Sequence, residues 1–253
     1  MARFQTGVSL FPQATTVQQL RASWSEADAL GADSIWIWDH FYPLTGDPEA
    51  THFECYSLLG AMAVETRRAR IGSMVTCNSY RNPNLLADMA RTLDHTSGGR
   101  FVLGIGSGWF ERDYQEYGYE FGTAPERLRA LADALPIIQA RLAVLNPPPI
   151  GELPILIGGS GEKVTLKLVA RYATMWNTFG PVEHFAHKNA VLNEWCERVG
   201  RDPAEIERTV MISADEVDQW EAFVDAGAHH LIIGREAPYD LEPLERLVAA
   251  ANS

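Results

Sequence analysis

The sequence predicts an α/β fold in which residues 1–253 form one closed barrel of eight parallel strands ringed by helices, a (β/α)8 TIM barrel. Three observations predict it. Short apolar runs alternate with longer amphipathic stretches, and eight such pairs fill 253 residues, close to the roughly 250 residues such a barrel needs. The runs are apolar on both faces (Ile35, Trp36, Ile37 and Trp38; Leu231, Ile232 and Ile233), as parallel strands covered by helices must be. No low-complexity linker divides the chain, and the proline-rich "LNPPPIGELP" (145–154) joins a helix to a strand. An open doubly wound sheet is the alternative.

The elements follow in order. "FQTGVSLF" (4–11) reads as a strand and "TVQQLRASWSEADALG" (16–31) as a helix, its Val17, Leu20, Trp24, Ala27 and Leu30 spaced in threes and fours on one face. "DSIWIWDH" is the second strand, followed by a helix over 52–66. The third strand is 69–76. Asn82 caps the next helix and Pro83 opens it, where the missing N–H costs nothing. "RFVLGIG" (100–106) precedes a long helix over 124–145 that Pro136 is expected to kink. "LPILIGG" (153–159) leads into the helix "EKVTLKLVARYA". The weaker "TMWNTFG" (174–180) leads into a helix over 182–199. "RTVMIS" and "HHLIIG" complete the strands, with "DEVDQWEAFVDAG" and "LEPLERLVAAA" as their helices.

Composition narrows the function. With 33 acidic and 21 basic residues the formal charge is −12, which disfavours nucleic acid, whose phosphates call for clustered Lys and Arg. A small anionic ligand needs only a few local donors. No apolar run approaches the roughly 20 residues of a membrane span. The first residues lack the apolar core of a secretory signal. Three scattered cysteines form no disulfide framework and no CxxC pair, so a reducing, cytoplasmic setting is expected. The histidines do not gather with carboxylates at strand ends, so no metal site is expected. His184 and His187 have ligand-like spacing, but a solvated helix face accounts for them.

In such barrels chemistry sits at the carboxyl ends of the strands. Asp39 and His40 end the second strand there and are expected to face the mouth, with His40 suited to moving a proton near neutral pH. Glycines collect at the same end, in "GIGSGWF" (104–110) and "IGGSGEK" (157–163). The first is out of register with a dinucleotide fingerprint, and the second does not satisfy the phosphate-loop pattern G-x-x-x-x-G-K-[ST]. Glycine at 158, 159 and 161 lets main-chain N–H groups approach an anion at a helix start.

The stretches "GVSLFPQ", "ADSIWIWDHFYPLTG", "IGSMVTCNSYRNPNLLADMARTLDHTSGGRFVLGIGSGWFERDYQEYG" and "PILIGGSGEKVTLKLVARYATMWN" resemble the bacterial luciferase-like superfamily, and within it the branch that uses the deazaflavin coenzyme F-420. The resemblance covers well over half of the chain and implies the same eightfold barrel. It further implies that Asp39 contacts the cofactor ring and that His40 stands beside the reacting carbon as general acid or base. A non-prolyl cis peptide is expected at Ser73–Met74, with Thr76 also near the cofactor. Gly106 and Ser107 are expected along the ribityl chain, and Gly158, Gly159, Ser160 and Gly161 around the phosphate, with Lys163 a weaker candidate. The chain departs from the pattern at Trp109, where sugar-phosphate dehydrogenases of this branch carry an acid. Trp109, Phe110 and Tyr80 are therefore expected to wall a pocket for an apolar or aromatic substrate, with Trp36 and Trp38 belonging to the barrel core. The rival readings are a monooxygenase using flavin mononucleotide (FMN) and oxygen, and a non-catalytic flavin carrier. A homodimer is the default assembly.

Overall fold

The structure, a computed structural model, describes residues 2–253. Its strands are β1 (Gln5–Leu10), β2 (Ser34–Ile37), β3 (Arg70–Ser73), β4 (Thr76–Cys77), β5 (Phe101–Gly106), β6 (Ile155–Gly158), β7 (Met175–Phe179), β8 (Glu207–Ile212) and β9 (His230–Arg235). Every pairing is parallel, and the order β3-β2-β1-β9-β8-β7-β6-β5 closes when β3 returns to β5. This is the predicted eight-stave barrel. β3 and β4 are two pieces of one stave, since both pair with β5, at Ile71 opposite Phe101 and at Thr76 opposite Ile105.

The strand expected over 69–76 is therefore broken, and the break corrects one expectation. The non-prolyl cis bond is Met74–Val75, not Ser73–Met74. Met74 still follows the strand: its N–H donates to the carbonyl of Ile37 at 2.7 Å, and its side chain packs inside the barrel. The chain departs from the stave only after it.

The helices are α1 (Val17–Leu30), α2 (Cys55–Glu65), α3 (Pro83–Ser97), α4 (Glu111–Tyr117), α5 (Ala124–Leu142), α6 (Thr165–Tyr172), α7 (Val182–Val199), α8 (Trp220–Asp225) and α9 (Glu242–Ala251). Their ends obey local chemistry. Thr16 with Gln19 and Thr123 with Glu126 form capping boxes, and Asn82 accepts the N–H groups of Asn84 and Leu85 ahead of Pro83. α5 runs through Pro136 as one helix. The stretch "DEVDQWEAFVDAG" divides into a 3-10 turn (Ala214–Gln219) and α8. α4 was not expected, because seven residues hold too few turns to show a periodicity. Among the described residues no helix is long and apolar enough to cross a membrane.

Two apolar layers hold the barrel. Ile35, Ile37, Leu103, Ile105, Ile155 and Ile157 face the helices, where they pack with Leu20, Trp24, Leu59 and Leu135. Each such burial contributes about 1.5–3 kcal/mol. Trp36, Met74, Val102, Leu156, Met175 and Ile232 fill the interior, so Trp36 is barrel core as expected.

At the amino end a polar cluster closes the barrel. Arg70 donates to both oxygens of Glu207 at 2.9 and 2.8 Å, Glu207 meets Nδ1 of His230 at 2.9 Å, and Nε2 of His230 meets Oγ of Ser34 at 2.8 Å. Burial alone would push the Glu207 carboxyl up, but His230 and Arg70 outweigh it and hold it at about 2 against an ordinary 4.5. The folded state thus binds this proton less readily than the unfolded chain. Its stabilisation is complete above pH 4.5 and drains away as the pH falls toward 2. Urea midpoints of the wild type should fall more steeply across that window than those of Glu207→Gln, by about 2–3 kcal/mol in all. Parallel curves would show that the cluster carries no such linkage.

Candidate active site

β2 ends at Ile37, and the next three residues diverge at the barrel mouth. Trp38 stacks on Phe11 with ring centroids 4.2 Å apart, and its indole N–H donates to Nε2 of His52 at 2.9 Å. Burial, with the neighbouring His40 adding to it, lowers His52 to about 4, so it is a neutral acceptor at physiological pH. Trp38 is buried, as expected of a core residue, at the end of the stave beside His40.

Asp39 does not face the mouth. Its side chain is wholly buried and accepts Nη1 and Nη2 of Arg81 at 2.6 and 3.0 Å and the N–H of Cys77 at 3.0 Å. Burial pushes its carboxyl up, and Arg81 and the Cys77 N–H oppose that. Arg81 is itself nearly buried, lies 4.2 Å over the Tyr56 ring, and reaches Oε1 of Glu54 at 2.9 Å. Glu54 caps α2 by accepting the N–H groups of Tyr56 and Ser57. One guanidinium thus ties the end of β2 to the start of α2.

His40 does reach the mouth. Its Nδ1 lies 2.7 Å from Oδ2 of Asp113, and its ring meets those of Trp38, Trp109 and Phe110 edge-on at 6.1, 5.8 and 5.6 Å. Nε2 is the nitrogen left for a ligand. Asp113, on α4, is fully buried. It also accepts the N–H groups of Phe41 and Tyr42, both at 3.1 Å, and the hydroxyl of Tyr80 at 2.9 Å. Tyr80 is accordingly buried beneath the site with Cys77 and Tyr114 and forms no part of the mouth wall. Trp109 is 62% exposed and Phe110 half-buried, and both rings stand beside His40.

The broken stave shapes the floor. Val75, half-buried, lies against the glycines of two neighbouring strands. A Cβ on Gly106 would come within 2.7 Å of its Cγ2, and one on Gly158 within 2.8 Å of its Cγ1. The Ser73 hydroxyl is engaged by Thr76 and the Gly104 carbonyl, and that of Thr76 also by Tyr56. Only the main chain of these two residues is left to line a pocket. In the loop after β6, the N–H of Gly159 donates to the Asn177 carbonyl at 3.0 Å, and the Gly159 carbonyl accepts the Trp176 indole N–H at 2.9 Å. The Gly159 N–H is thus taken, while those of Ser160 and Gly161 donate to no main-chain carbonyl among the described residues. Lys163 is exposed beside them. These residues fit a flat ring bearing a phosphate-ended chain: an apolar floor where Val75 packs into the space that Gly106 and Gly158 leave, and main-chain N–H groups at 160 and 161. Among the described residues no group of His, Cys, Asp or Glu is placed to hold a metal.

Arg81, Asp113, Val75, Glu54 and His52 are the site residues that sequence reasoning missed. The only local signal is that Arg81 and Asp113 lie inside the long family-like stretch, in "RNPN" and "ERDY".

A barrel with a histidine and a glycine cradle at its carboxyl mouth defines a class of protein. The chain belongs to the luciferase-like monooxygenase family, whose profile matches residues 2–240. Among relatives, the F420-dependent glucose-6-phosphate dehydrogenase of Microbacterium testaceum is 31% identical over 168 residues, covering 58% of this chain and 48% of that protein. The phthiodiolone/phenolphthiodiolone dimycocerosates ketoreductase of Mycobacterium tuberculosis is 30% identical over 223 residues, covering 74% and 58%. The chain thus spans about half the length of these relatives. An F420-dependent secondary alcohol dehydrogenase, solved with an F420-acetone adduct, superposes with a TM-score of 0.86 over 98% of both chains at 18% identity. The FMN-bound oxygenating constituent of 3,6-diketocamphane monooxygenase from Pseudomonas putida superposes with a TM-score of 0.77 over 99% and 98% at 15% identity. At these identities both structures show the shared barrel alone.

Arg81→Met would leave Asp39 buried without its cation and should cost about 3–5 kcal/mol in urea unfolding. The double variant Asp39→Asn/Arg81→Met should recover part of that loss. If the double variant is no more stable than Arg81→Met, the pair is not what holds this corner.

Proposed function

We propose that the chain transfers a hydride between the deazaflavin coenzyme F-420 and a small apolar or aromatic secondary alcohol or its ketone. The observation that carries this reading is His40, held at the mouth by Asp113 with Nε2 left over and aromatic rings around it. The names of the dehydrogenase and ketoreductase relatives support the same chemistry.

The bound coenzyme would supply the hydride acceptor or donor at its C5. The protein's part is to bind, to exclude water and to move one proton. In oxidation, Nε2 of His40 takes the hydroxyl proton as hydride leaves the carbinol carbon, and in reduction it returns that proton to the forming alkoxide. Trp38, Trp109 and Phe110 keep the exchange away from water. Ser160 and Gly161 meet the phosphate, Gly106 and Ser107 the ribityl chain, and Val75 supports the ring. Asp39 acts from behind by fixing the strand end rather than by touching the ring. The same reading takes residues 1–253 as one catalytic domain. Three buried cysteines with free thiols support a reducing, cytoplasmic setting, and exposed Val64 on α2 and Leu85 on α3 support pairing as a homodimer.

Titration of the protein in parallel with oxidised F-420 and FMN, followed by fluorescence, should give saturable binding that favours the deazaflavin. His40→Asn should keep that binding and lower kcat on small secondary alcohols by about 100-fold or more. Tighter binding of FMN with substrate-dependent oxygen uptake would overturn the reading in favour of a monooxygenase. Cofactor binding with no turnover of any alcohol or ketone would leave a carrier.

A further inference from the structure

Asp113 differs from Asp39 in the kind of partner it has. Asp39 is met by a guanidinium, whereas Asp113 makes no ion pair with Arg or Lys and is met by two main-chain N–H groups, a phenol and an imidazole nitrogen. The arginine of this corner is taken up by Asp39 and Glu54.

We propose that Asp113 is a positioning residue that holds neutral His40 as its Nδ1–H tautomer, so that the Nε2 lone pair faces the mouth as the base, and that the same carboxylate then serves as counter-ion to the imidazolium.

The argument is one of donors and acceptors. The N–H groups of Phe41 and Tyr42 only donate. The Tyr80 hydroxyl lies 2.9 Å from Oδ2 and keeps its proton, since burial and the nearby acidic groups push it well above its ordinary value. A carboxylate whose other partners all donate is the acceptor in its remaining bond as well, so the hydrogen of the 2.7 Å contact sits on Nδ1. The grip is double. Oδ1 holds the main chain of the two residues after His40 while Oδ2 holds its ring, so ring and backbone cannot shift independently. When Nε2 takes the substrate's hydroxyl proton, Nδ1 keeps its own. The charge that appears on the ring then faces a buried carboxylate which until then had only neutral donors. No proton passes to Asp113, and reversal returns the same proton through Nε2.

This inference rests on the proposed role of His40, and its test separates the two. Nitrogen-15 NMR of the free protein, labelled at histidine and assigned against His40→Asn, should show a protonated Nδ1 and a bare Nε2 on neutral His40, with the ring N–H far downfield. Asp113→Asn should move the ring toward the Nε2–H form. It should also lower kcat with F-420 by about 100-fold or more while KM changes less than about threefold. If Asp113→Asn does not fold, Tyr80→Phe removes one competing donor from Oδ2 and should move the ring N–H further downfield. An Nε2–H tautomer in the wild type, a resonance unmoved by Tyr80→Phe, or near-normal kcat in a folded Asp113→Asn would each overturn the proposal. If the wild type turns over nothing with F-420, the functional reading fails, while the tautomer still decides whether Asp113 positions the ring.

Discussion

Two carboxylates buried against one short stretch of chain, residues 39–42, organise the mouth of this barrel. An uncompensated buried carboxylate costs several kcal/mol, so each must bring its partners with it. Asp39 brings Arg81, and with Arg81 the segment after β4, the Tyr56 ring and the Glu54 cap of α2. Asp113 brings the N–H groups of Phe41 and Tyr42 and the hydroxyl of Tyr80, and so binds α4 to the strand end. The first pair secures position through opposite charge. The second holds Asp113 against His40 with no Arg or Lys paired to it among the described residues, which is a condition a proton-accepting ring can use.

The second constraint is steric. Once the chain leaves the third stave after Met74, something must fill the gap between the staves, and Val75 does so. It fits because Gly106 and Gly158 present no Cβ to it. Close by, Gly104 lets the main chain of β3 press in: a Cβ there would stand 1.8 Å from the Ser73 carbonyl oxygen. The hydroxyls of Ser73 and Thr76 bind each other, and the Gly104 carbonyl and the Tyr56 hydroxyl complete their partners, so the break leaves neither unsatisfied. The glycines therefore shape the pocket by their lack of side chains as well as by any N–H they offer a ligand.

The barrel was legible because each stave is a short run apolar on both faces, and that pattern belongs to the residues themselves. His40 was legible for a related reason: the apolar run stops at a predictable end of a predictable strand. Its partner was not, because Asp113 lies 73 positions away in sequence on a helix too short to announce itself. Nothing in "ERDYQEY" marks its third residue as buried. The surroundings of Asp39 and Tyr80 were illegible on the same ground. Asp39 turns to Arg81 and the Cys77 N–H while Trp38 and His40 meet edge-on, and Tyr80 precedes the arginine that Asp39 binds. Which side of a mouth a residue faces depends on partners from distant segments, and local spacing does not carry that information.

The same accounting bears on what the mouth accepts. A sugar phosphate needs cations free to meet it. Arg81 is held by Asp39 and Glu54. Arg112 lies over the Tyr42 ring and bonds the Pro48 carbonyl and Glu49, and Arg127 bonds the carbonyls of Gly108, Phe121 and Gly122. A dianion drawn to any of these three would have to displace those partners, and it would lose its own hydration against the apolar rings of Trp109 and Phe110. A hydroxyl flanked by apolar groups asks less. Under the proposed function it needs one acceptor, the role given to Nε2 of His40, and surfaces that gain by leaving water, which the indole of Trp109 would offer where an acid would not.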